Sequence, residues 1–73
     1  MTFSPPNFEA GELEIRQEGD EICIYGTPNG LRTLAELCIQ LAATAKTPDH
    51  VHLEDYSILT GDSTRATIGV FDR

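Results

Sequence analysis

The stretch GLRTLAELCIQLAATA, residues 30–45, constrains the fold most, because its apolar residues recur at helical spacing while its flanks alternate like strands. At about 100° per residue, Leu31, Leu34, Ala35, Cys38, Leu41, Ala42 and Ala45 share one face. Leu37 and Ile39 widen that stripe, and Arg32, Thr33, Glu36, Gln40 and Thr44 take the opposite side. A helix with so broad an apolar face must lie across another element, and its flanks predict a small sheet. Thr27 is a candidate N-cap that would put Pro28 at the first helical position, where its missing N–H costs nothing, and Asn29 competes for the role. Pro48 ends the element.

Upstream, Glu12–Glu18 and Glu21–Gly26 read as a hairpin joined at Gly19-Asp20. Glycine first in a two-residue loop suits a type II′ turn, and type I′ is also open. That turn pairs Ile15 with Ile24 and Gln17 with Ile22 on the face expected under the helix. Glu14 opposite Tyr25 and Arg16 opposite Cys23 then take the other face. Downstream, His50–Tyr56 reads as a third strand with Val51 and Leu53 inward, and Arg65–Asp72 as a fourth with Ala66, Ile68 and Val70 inward. Ile58 and Leu59 are expected to tuck back from the turn-rich segment between them. The expected architecture is α+β: a single ββαββ domain, residues 12–73, with one amphipathic helix packed on a mostly antiparallel four-stranded sheet. Residues 1–11, with Pro5-Pro6, read as an N-terminal arm that Phe3 and Phe8 would pin.

Seventy-three residues suffice for one domain and one thin core. A chain this short buries only about 60% of the surface its unfolded form exposes. A deep catalytic cleft is hard to build at that size, so a binding surface or one half of a homodimer is expected. Twelve carboxylates against five basic side chains give a net charge of −7. Such a field repels nucleic acid and anionic membrane and draws in cationic partners. Arg16, Arg32, Lys46, Arg65 and Arg73 are scattered, which excludes a basic nucleic-acid stripe. Cys23 and Cys38 lack metal-knuckle or redox spacing, and their patterns put them on different faces, so both are expected as reduced thiols, Cys38 in the core. No basic segment leads into an apolar run, and a cytoplasmic protein is the expectation.

The chain's two histidines stand in His50-x-His52-x-Glu54, which on a strand shares one face. A His-x-His pair can hold zinc when a third ligand comes from elsewhere, which makes His50 and His52 the candidate metal ligands. Glu54 lies about 13 Å along the strand from His50, too far to share one ion. No third strong ligand is identifiable, so no cofactor is expected, although a small metal-binding or redox-responsive regulator using His50, His52 and Cys23 stays open. Ser57 and Ser63 have no histidine arranged as a base, and Asp49, Glu54, Asp55 and Asp62 read as solvated carboxylates. The uncovered sheet face is the better candidate. Glu14, Tyr25, His50, His52, Glu54 and Phe71 make the mixed aromatic and charged surface that interfaces favour.

The run GLRTLAELCIQLA, then PDHVHLEDYSIL, then a Gly-Asp-Ser turn before a final apolar strand, resembles the thirty-second numbered family of bacterial immunity proteins. The likeness covers residues 30–70 and is sharpest at His50-Val51-His52-Leu53 with the acidic residue after it; the first hairpin matches only in pattern. The resemblance implies a non-enzymatic protein that binds a cognate toxin and blocks its active site or substrate path. The −7 charge fits a basic toxin, since complementary fields speed association. A homodimer is the other partner reading.

Overall fold

The computed structural model describes residues 5–72. Strands β1 (Leu13–Glu18) and β2 (Glu21–Gly26) are followed by helix α1 (Pro28–Ala43) and strand β3 (Asp49–His52). A 3₁₀ turn (Leu53–Tyr56) and strand β4 (Thr67–Val70) complete the order. The α+β class and the ββαββ order therefore hold. Residues 5–12 carry no helix or strand, and Phe8 is half-buried. Phe3 lies outside the described residues.

β1 and β2 pair antiparallel in the expected register, with Ile15 opposite Ile24 and Gln17 opposite Ile22. Gly19 adopts φ +66° while Asp20 does not turn positive, which fits a type II′ turn and excludes type I′. β3 and β4 also pair antiparallel, His50 opposite Gly69 and His52 opposite Thr67.

The four strands form two separate two-stranded sheets, not one four-stranded sheet. The outer edge of β1 shows why. Leu13 N–H donates to Ile58 O at 3.0 Å and Thr60 N–H to Leu13 O at 2.9 Å. Ile15 N–H donates to Ser63 Oγ at 2.8 Å, and Thr64 N–H to Ile15 O at 2.7 Å. An irregular segment, reduced to a single parallel bridge between Leu13 and Leu59, thus satisfies the groups a third regular strand would need. β3 is also shorter than expected. Its chain enters the 3₁₀ turn at Leu53, and Ser57 closes that turn at φ 58°. Glu54 consequently stands on the turn, not on a strand.

Thr27 caps α1, its hydroxyl accepting from Gly30 N–H at 3.0 Å, and Pro28 opens the helix as expected. The helix rests on Gly30, Leu34, Leu37 and Leu41, a spacing of four, three and four. Leu37 and Leu41, at 7% and 5% exposure, carry its burial, whereas Ile39 at 67% and Leu31 at 46% are open. Cys38 is exposed rather than a core residue. The helix is rolled by part of a turn from the expected stripe, because Gly30 presses against the backbone of Glu12 and fixes which side faces inward. Leu13, Ile15, Leu37 and Leu53 form the core cluster, with Leu34, Ile58, Leu59, Ala66 and Ile68 packed around it. Full burial of such a side chain stabilises by about 1.5–3 kcal/mol, so this core leaves little margin.

Candidate interaction surface

The pleat of the β3–β4 ribbon decides what it shows outward. Val51, Ile68 and Val70 turn towards the body and are partly buried, so His50, His52, Thr67 and Gly69 face outward. Gly69, opposite His50, leaves a gap that no side chain fills. Around it Pro48, Asp49, His50, His52, Thr67 and Phe71 wall an open depression of about 640 Å³. Phe71, at the edge of this depression, is 77% exposed.

The two imidazoles pack edge-to-face, their centroids 4.9 Å apart at 88°. His52 Nδ1 lies 3.0 Å from Thr67 Oγ1 and 3.5 Å from Glu54 Oε2. In the Nε2–H tautomer that nitrogen accepts from the threonine hydroxyl; with a proton on Nδ1 it donates instead. Glu54 also accepts from Ala66 N–H at 3.3 Å and from Arg65 Nε at 3.4 Å. Its own backbone N–H, then Ala66 N–H and the Arg65 charge, hold its carboxyl below the usual value against a partial desolvation that opposes them. The turn thus keeps Glu54 beside His52 although the two no longer share a strand.

Glu14 and Tyr25 are placed differently. Glu14 is only 3% exposed, and Thr60 Oγ1 donates to its Oε1 at 2.6 Å while Arg16 Nη2 pairs with its Oε2 at 2.7 Å. Arg16 also reaches Glu18 Oε2 at 3.2 Å and lies over the Tyr25 ring, 5.1 Å from its centroid. Tyr25 Oη and Cys23 Sγ both donate to Glu18 Oε1, at 3.2 and 3.5 Å. The Cys23 thiol, partial burial and the Glu18 carboxylate together push the Tyr25 phenol up to about 12. This outer face of the first hairpin, expected to be open, carries a partly buried polar network, and Thr60 of the segment at the β1 edge seals Glu14. Ile22 at 64% and Ile24 at 51% on the inner face are the more exposed residues.

The six candidate residues therefore separate into two groups. His50, His52, Glu54 and Phe71 come together, and Glu14 and Tyr25 are engaged in the first hairpin. Among the described residues no group of three or more His, Cys, Asp or Glu side chains is placed to hold a metal ion. None of the described helices is long and apolar enough to cross a membrane. Sequence periodicity missed the exposed Ile22–Ile24 pair, since alternation tells which residues share a face but not which face is covered.

Against known proteins, a family model described as Immunity protein 32 matches residues 21–67, more than half of the chain. That span runs from β2 through α1 and β3 to the first residue of β4, so it includes His50, His52 and Glu54. No curated protein and no solved structure matches the chain.

Proposed function

The chain belongs to the immunity protein 32 family, and from that premise we propose that it is a non-enzymatic cytoplasmic protein that neutralises a cognate bacterial toxin by binding it. The family match carries this reading. The surface assigned to the contact is the β3–β4 outer face, where His50, His52 and Phe71 surround the depression over Gly69. An exposed aromatic ring beside two imidazoles and an open recess is the arrangement in which a few side chains dominate binding. The partner is a basic protein, matched to a chain of net charge −7. Tyr25 supports the neighbouring hairpin and Glu14 its interior, so the alanine test belongs at His50, His52 and Phe71.

The experiment is co-purification from the producing cell at low and high salt, followed by co-expression of the recovered toxin with the chain. Protection of the cells, lost when His50, His52 and Phe71 are replaced together by alanine with thermal unfolding nearly unchanged, is the expected result. Protection undiminished by the triple substitution would remove the β3–β4 face from the reading. Recovery of only a second copy of the chain would favour a homodimer instead.

A further inference from the structure

We infer that the outer edge of β2 is a docking site for an extended basic segment of the partner, which adds to the first hairpin as a further strand. The inference rests on the toxin-binding reading for the partner's identity and on the hairpin geometry for the site. In an antiparallel pair, opposed residues that do not bond each other turn both backbone groups outward. Ile15 does so at the β1 edge, where its N–H and C=O are taken by Ser63 and Thr64. Its partner across the ladder is Ile24, and two residues on Ile22 faces Gln17 in the same phase. The N–H and C=O of Ile22 and Ile24 therefore point away from β1. Among the described residues no backbone hydrogen bond from another element reaches them.

Beyond Glu21 at its start, β2 lacks the usual protections of an edge strand. EICIYG has no lysine and no proline, and its register with β1 runs without a bulge. Beside the edge lies an almost wholly apolar groove of about 340 Å³, formed by Ile22, Ile24, Leu34, Cys38 and Ile68 among others. A strand added to β2 would place alternate side chains against this groove while its backbone took up the Ile22 and Ile24 groups. Charge selects the occupant. Asp20 and Glu21 are exposed at the start of β2, and a second copy would bring −7 against −7. A segment with apolar residues on one side and Lys or Arg on the other satisfies both the groove and the field.

The test uses a synthetic peptide of alternating lysine and valine, a glutamate–valine control, and amide hydrogen exchange of the full chain. The lysine peptide is expected to slow exchange at Ile22 and Ile24 by at least about tenfold, as hydrogen bonding of those amides requires. The glutamate peptide leaves them fast. Ile24→Pro removes one outward N–H without touching the β1–β2 ladder, and Ile22→Lys with Ile24→Lys keeps the backbone but spoils the groove; both should abolish the protection, read at Ile22 alone in the proline variant. Slow exchange at these amides without peptide, whether in dilute protein or rising with protein concentration, would mean the edge is already filled and overturns the proposal. Peptide effects confined to His50, His52 and Phe71, or equal effects of both peptides, also overturn it. A toxin that binds Ile24→Pro as tightly as the unsubstituted chain would defeat the edge site while leaving the immunity reading standing.

Discussion

Thr60 Oγ1 donates a 2.6 Å hydrogen bond to Glu14 Oε1 across 46 positions of sequence, and both residues are nearly sealed from water, at 6% and 3% exposure. The bond ties the middle of β1 to the segment that replaces a third strand. It also puts a carboxylate inside a domain with few core residues. Such a group is tolerated because Arg16 meets its second oxygen at 2.7 Å.

Removing either partner of Glu14 should therefore cost more than a surface contact would. Thr60→Val deletes a hydrogen bond to a charged group and should destabilise by about 1.5–3 kcal/mol. Arg16→Met leaves the buried carboxylate without its counter-charge and should cost about 3–5 kcal/mol. Because both act on one carboxylate, the double substitution should fall short of the sum. Urea unfolding of the four proteins of this cycle checks the claim, and additive losses would count against a shared network.

Gly30 packs where no other residue fits. A Cβ there would collide with the carbonyl oxygen of Glu12, whose carboxylate in turn accepts from Asn29 Nδ2 at 2.8 Å and from Thr27 Oγ1 at 3.3 Å. α1 has no acidic residue in its first turn, so Glu12, just ahead of β1, supplies the negative charge that a helix start favours. In an open helix Gly→Ala would stabilise by about 1 kcal/mol. Here Gly30→Ala should instead destabilise by about 1–3 kcal/mol through overpacking. A higher melting temperature for the variant would show that the helix can move off β1.

The two faces of α1 should respond unequally. Leu41→Ala removes a buried side chain and should cost about 2–5 kcal/mol. Ile39→Gln, at a 67% exposed position, should change stability by less than about 0.5 kcal/mol. In the folded protein Cys38, which is exposed, should react with a thiol reagent well before Cys23, which is half-buried and donates to Glu18. Equal rates for the two thiols would contradict this placement of the helix.

Two groups titrate away from their ordinary values in the fold. Tyr25, ordinarily near 10.0, is raised to about 12 in the fold, first by its hydrogen bond with Cys23. A raised acid binds its proton more tightly when folded, so its contribution is intact below pH 10 and is lost as pH climbs towards about 12. Tyrosinate absorbance of a Tyr56→Phe variant isolates this group, and Cys23→Ala should bring its midpoint down. Glu54 has the opposite sign. Its carboxyl is held below the ordinary 4.5, so its contribution is present above that pH and is lost as pH falls beneath it. Glu54→Gln should flatten the acid limb of the stability profile, and an unchanged limb would dismiss the Ala66 and Arg65 contacts as contributors.

Local chemistry made much of this molecule legible in advance. The Gly19-Asp20 loop imposed the β1–β2 register, Thr27 and Pro28 set the helix start, and Pro48 forbade its continuation. Those features depend on neighbours a few residues apart, where backbone geometry leaves little choice. The pleat likewise placed His50 and His52 outward, because β3 has one apolar side to bury. The strand assigned to residues 50–56 failed at its end. Alternation in His50–Glu54 looks the same whether the chain runs straight or turns after Leu53, and the turn is held by Ala66, a distant residue.

What the sequence by itself determined is thus the four strands and one helix, their order and the register of the first hairpin. Tertiary structure alone decided which sides of those elements are covered. Gly30 against Glu12 rolled α1 onto Leu37 and Leu41 and left Ile39 and Cys38 in solvent. The 58–64 segment took the outer edge of β1, split the strands into two sheets and buried Glu14, an acidic residue with every compositional sign of a surface position. The same choice left Ile22 and Ile24 open on β2. Burial is a property of pairs of surfaces far apart in the chain, and periodicity records only that each surface seeks a partner.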